Sequence, residues 1–161
     1  MTAHLALHDP LHSGNTQPLR YTHIVPRPAI LIIALALAPA SLSGQDGNKA
    51  LQQNPSYQKG LAALSDQLPE LAIDPLTASL EEFENNPSAQ NTIRLRLGEA
   101  LVRAGRLARE SSAAHQSGSA ALENLQSVAK TGNEQAIFWS AHAHILRGEL
   151  GQAANLFARL Q

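Results

Sequence analysis

The chain reads as an all-α protein built of helical hairpins. Three observations predict this. After residue 56, apolar residues recur at steps of three and four, as they do on one face of a helix. Aromatic residues are scarce, three Phe, two Tyr and one Trp, so a core must come from Ala and Leu. That composition suits close-packed helices better than strands rich in β-branched and aromatic side chains. Glycines stand between the amphipathic stretches, where helical hairpins turn.

With 161 residues there is room for one ordinary domain. Twelve Lys and Arg against thirteen Asp and Glu give a formal net charge of -1, which offers no electrostatic footprint for nucleic acid or an anionic surface. Cysteine is absent, which excludes thiolate metal sites, disulfides, a cysteine nucleophile and an amino-terminal lipoprotein anchor.

Residues 1–19 carry three of the seven His among Pro, Ser, Gly and Asn with no apolar period, and read as a disordered extension. Residues 20–43 read as a signal peptide: Arg20 and Arg27 flank the apolar stretch Ala29 to Ala38, and small residues follow to Ser43. Ten apolar residues rise about 15 Å as a helix, half of a bilayer core, so no membrane span is expected in the mature chain. The mature protein is expected to start between Ser41 and Gln45, exported to the periplasm or cell envelope of a Gram-negative bacterium. Residues 44–55, rich in Gln, Asn and Gly, read as a linker.

The body, residues 56–161, divides into three helical pairs. Tyr57, Leu61 and Leu64 mark the first helix, and Pro69 suits the first turn of the second, which carries Leu71, Ala72, Leu76 and Leu80. Pro75 inside that helix should remove a backbone bond and kink it. The second pair opens near Asn91, runs through Ile93, Leu95, Leu97, Leu101 and Val102, and stops at Ala104-Gly105. Its partner is less regular, with a helix expected over about 119–129 on Leu122, Leu125 and Val128; residues 106–129 fit one kinked helix or two short ones. The third pair is Glu134 to Arg147, then Glu149 to Leu160.

Leu97-Gly98, Gly105 seven residues after Gly98, and the run Gly148, Ala153, Phe157 resemble fragments of the tetratricopeptide repeat, a helix-turn-helix unit of about 34 residues. Superposing the pairs places Gly60, Gly98 and Ala141 at the close-packing position of the first helix. Gln67, Gly105 and Gly148 fall at the turn, Ala72, Glu110 and Ala153 at the small position of the second helix, and Leu76 and Phe157 at its large apolar position. The units are separated by 38 and 43 residues, longer than the family's, and lack its early Trp. The resemblance implies a right-handed stack of about three repeats whose first helices line a concave groove. The groove residues would be Tyr57, Leu61, Leu64, Leu95, Glu99, Val102, Phe138, His142 and Ile145. Such a stack is a non-catalytic scaffold, and this largely apolar lining suits a short amphipathic peptide or partner helix better than a charged chain terminus. A structural spacer in an envelope assembly would share the fold.

Catalytic chemistry has weaker signals, and no cofactor or metal is expected. His142 and His144 lie two apart, so on a helix they point about 200° from each other and cannot share one ion. The rival to a scaffold is a metal-assisted hydrolase that would need His142 or His144 to converge with Glu149. Glu81, Glu82 and Glu84 read as a solvated helix end, and Arg103, Arg106 and Arg109 as a basic stripe near a helix terminus. The chain ends at Gln161 directly after Leu156, Phe157 and Leu160, so its last apolar face is expected to be uncovered. Self-association through the helix at 149–161, or continuation in a longer array, is the expected consequence.

Overall fold

Three asparagines set the frame of the fold. In the computed structural model, which describes residues 43–161, Asn54, Asn86 and Asn133 each precede a helix. Their side-chain carbonyls accept the backbone N–H three residues on, from Tyr57, Ala89 and Ala136, at 2.7, 3.1 and 2.9 Å. Each bond satisfies one of the donors that a helix start leaves unpaired. Among the described residues there are seven helices: α1 (Ser43–Gln53), α2 (Pro55–Ser65), α3 (Pro69–Glu82), α4 (Pro87–Leu107), α5 (Ser111–Lys130), α6 (Glu134–Leu146) and α7 (Leu150–Ala158). None is long and apolar enough to cross a membrane. The extension and leader expected over residues 1–43 lie outside the described residues, apart from Ser43, the first residue of α1.

Helices α2 and α3, α4 and α5, and α6 and α7 form three antiparallel hairpins. Each helix packs on the next in sequence. Helix α2 also touches α4, and α4 touches α6, whereas α3, α5 and α7 make no close backbone contact with one another. The first helices of the hairpins therefore form the tighter layer, and the second helices spread behind it.

The crossings inside the hairpins explain the small residues. A methyl group on Gly60 would lie 2.5 Å from the Leu76 Cγ, and one on Gly98 would lie 2.4 Å from the Leu125 Cγ, distances real atoms do not reach. In the third hairpin Ala141, fully buried, takes this position. Four residues before Leu76, Leu125 and Phe157 stand Ala72, Ala121 and Ala153, all buried. Leu76 follows Gly60 by 16 residues and Phe157 follows Ala141 by 16, but Leu125 follows Gly98 by 27. The extra eleven residues amount to about three helical turns, divided between α4 and α5, so the middle hairpin extends beyond its neighbours.

That extension corrects several expectations. The second turn is at Ala108–Glu110, not at Gly105, which lies within α4 where Leu146 and Ser117 pass too close for a side chain. The small residue of the second unit is Ala121 and not Glu110, which is the exposed residue before α5. Helix α5 is continuous from Ser111, through Gly118, which packs under the Ala143 carbonyl. The other two turns stand where expected: Gln67 and Gly148 have φ of 61° and 77°, the left-handed conformation that closes a helical turn. Pro75 is accommodated inside α3 without ending it.

Residues 44–55, expected to be a linker, are mostly helix α1. Its one large apolar residue decides this. Leu51 is completely buried and shares a core with Tyr57, Leu76, Ala89, Ile93 and Leu97, so α1 is fixed against α2 and α4. Glu82 is exposed, as expected, and it also accepts hydrogen bonds from the Asn54 amide and, at 3.0 Å, from the Ser56 hydroxyl. Its negative charge thus stands at the amino end of α2, where the helix dipole favours it.

Candidate functional site

The inner layer is organised around a carboxylate in the middle of α4. The Glu99 side chain is 7% exposed and is held from both sides: Arg96 Nη1 lies 2.9 Å from Oε2 and Arg103 Nη2 lies 2.6 Å from Oε1. The spacing of three and four residues puts all three side chains on one stripe of the helix. Both arginine side chains keep 37% of their surface exposed, so the buried charge is compensated while the guanidinium groups still reach solvent.

Arg103 reaches beyond its own helix. Its guanidinium stands 5.5 Å from the centroid of the Trp139 ring on α6, a cation–π arrangement, and its Nη1 lies 3.4 Å from the Leu64 carbonyl at the end of α2. One side chain therefore bridges all three inner helices. Arg96 lies beside Tyr57 of α2. Burial raises the phenol above its ordinary pKa, and the neighbouring guanidinium partly offsets this. Arg103 and Arg106 also line an open cavity of about 700 Å³ between the end of α4 and the α2–α3 turn, with Leu64, Gln67 and Leu107.

An aromatic cluster continues the face along α6. The His142 ring packs edge-on against Phe138 at 4.6 Å and Phe157 at 5.4 Å, with Trp139 at 6.0 Å. Burial, together with the positive charge of Arg106, lowers the His142 pKa below 6.5.

The predicted groove residues divide sharply. Tyr57, Leu64, Leu95, Glu99 and Val102 are buried beneath the surface and hold the inner helices together. Leu61 and His142 are half-buried, and only Phe138 and Ile145 are well exposed, at 39% and 43%. The accessible lining is therefore less apolar than expected and more basic. Arg96 and Trp139 were missed as site residues, and Arg103 was read only as part of the basic stripe with Arg106 and Arg109, although the 96, 99, 103 spacing was readable as one helical stripe.

His144 and Glu149 do meet, with Nδ1 2.6 Å from Oε2, and Arg147 Nη2 lies 2.8 Å from the other carboxylate oxygen. His142 takes no part in that pair. Among the described residues no group of three His, Asp or Glu side chains is arranged to hold a metal ion.

Stability should fall on acidification, in two steps. For His142 the folded pKa lies below 6.5, so the unfolded chain takes up the proton first and stability declines as pH falls from 6.5. The hydrogen bond from His144 holds the Glu149 carboxyl below its ordinary value of 4.5, so that contribution persists to lower pH and is lost as pH falls through the depressed pKa. Urea midpoints measured at neutral pH and one pH unit below 6.5 should differ less in His142→Phe than in the wild type. An identical difference in the two proteins would contradict the assignment.

No family model, curated protein or solved structure matches the chain.

Proposed function

We propose that this chain is a non-catalytic scaffold of the bacterial cell envelope, a tetratricopeptide-like right-handed stack that binds a protein or peptide along the face formed by α2, α4 and α6. The crossings at Gly60 and Gly98, each against a buried leucine of the following helix, and the buried Ala141 at the corresponding place in the third hairpin, support the repeat. The contacts of α4 with both other inner helices support a curved stack with an inner face. The leader-like sequence before Ser43 supports export.

The observation that carries the reading is the array Arg96, Glu99, Arg103 and Trp139. Glu99 accounts for one of the two guanidinium charges, and Arg106 adds another at the end of the face. An acidic segment with an apolar residue fits such a surface: carboxylates pair with guanidinium groups, and the apolar side chain rests on Phe138 and Trp139. The partner expected from the sequence, a short amphipathic peptide or partner helix, is narrowed here to one that carries acidic residues.

Selection of random peptides on the full chain tests this. Enriched peptides should carry Asp or Glu beside an apolar residue, and their binding should quench or shift Trp139 fluorescence. Arg103→Gln with Arg106→Gln should weaken them about ten-fold or more, as loss of charge-assisted hydrogen bonds does. Enrichment of basic peptides, or affinity unchanged in the double variant, would overturn the reading.

A further inference from the structure

The outer helices leave a second site on the opposite side of α6. Helices α5 and α7 stand apart over it, and the cleft between them has a volume of about 670 Å³. That falls in the range of about 300–1,000 Å³ typical of small-molecule sites.

Its walls differ in chemistry. Lys130, Arg147 and Arg159 bring three positive charges to the lining, against Glu123 within it and Glu149, which pairs with Arg147 at its edge. Leu122, Ala129 and Leu156 supply an apolar wall. On the floor are Ser140 and His144, one helical turn apart on α6 and therefore on one face.

Two details point to a ligand. The Glu149 carboxylate bonds His144 Nδ1 and Arg147 Nη2, which fixes both side chains at the edge of the cleft. Arg147 is left with its Nε buried and without a hydrogen-bond partner. The rest of the Arg147 side chain keeps 29% of its surface exposed and lines the cleft, where its guanidinium can meet an anion while still holding Glu149.

We propose that this cleft binds a small amphiphilic anion, with a carboxylate or phosphate head on Arg147, Lys130 and Arg159 and a short apolar body on Leu122, Ala129 and Leu156. The site is separate from the Arg103–Trp139 face and does not depend on it.

Calorimetric titration of the full chain with octyl phosphate, octanoate, inorganic phosphate and octan-1-ol tests the assignment. Octyl phosphate or octanoate should bind at one site about ten-fold tighter than inorganic phosphate, and octan-1-ol should not bind. The tighter head identifies the anion class. Lys130→Gln with Arg159→Gln, both exposed, should weaken binding about ten-fold and leave the urea midpoint unchanged. Arg147→Lys should also weaken it, because a single ammonium cannot hold Glu149 and an anion together as the guanidinium fork does. Absence of binding at about millimolar ligand, octan-1-ol binding as tightly as the anions, or equal affinity in the Lys130/Arg159 variant would overturn the proposal.

Discussion

Leu125→Ala should cost about 2–5 kcal/mol and Gly98→Ala about 1–3 kcal/mol, yet the double variant should cost clearly less than their sum. The reason is a single contact. Leu125 is completely buried, and its Cγ, Cδ1 and Cδ2 would all lie within 2.9 Å of a methyl group on Gly98. The single changes thus create a cavity in one case and a collision in the other. In the double variant the new methyl group occupies part of the space that the leucine leaves. Alanine also gains roughly 1 kcal/mol of helix propensity over glycine, which reduces the net cost of the Gly98 change without altering the coupling. Urea melts of the four proteins give the interaction term, expected at about 0.5–3 kcal/mol in magnitude. Additivity within about 0.5 kcal/mol would mean that α4 and α5 do not cross at this point.

Leu51→Ala should cost about 2–5 kcal/mol, the effect of truncating a buried leucine. Its size discriminates between two descriptions of residues 44–55. In a solvated linker the change would fall within about 0.5 kcal/mol of wild type. In α1, Leu51 has no exposed surface and fills the space beside Ala89 and Ile93. Denaturant melts of the full chain distinguish them, and a neutral substitution would show that α1 contributes nothing to the core.

The sequence made the helical class, the three hairpins and two of the turns legible, because each had a local cause. Apolar residues at helical spacing marked the faces, and Gln67 and Gly148 occupy equivalent positions seven residues after Gly60 and Ala141. The second turn was not legible, since glycine serves two purposes that sequence alone does not separate. Gly148 provides a left-handed turn, whereas Gly105 provides room for Leu146 at a helix crossing. Reading Gly105 as a turn concealed the eleven-residue extension and displaced the small position from Ala121 to Glu110. Helix α1 was hidden by polar composition; one buried leucine among Gln, Asn and Gly leaves little periodic signal.

The site was legible only in part, and for a different reason. Position on the first helix of a hairpin says which face a residue occupies, not how deeply its neighbours bury it. Five of the nine expected groove residues lie beneath the surface because the inner helices approach closely enough to use them as packing. Arginine side chains are long enough to emerge from the same stripe, so Arg96 and Arg103 reach solvent where Leu95 and Val102 do not.

The most direct test of a binding face on α2, α4 and α6 is amide chemical-shift mapping of the full chain with the tightest peptide selected on it. Shifts should concentrate on residues 96–106 of α4 and 138–145 of α6, with the outer surfaces of α3 and α5 silent. Shifts concentrated on those outer surfaces, or in the cleft between α5 and α7, would contradict it.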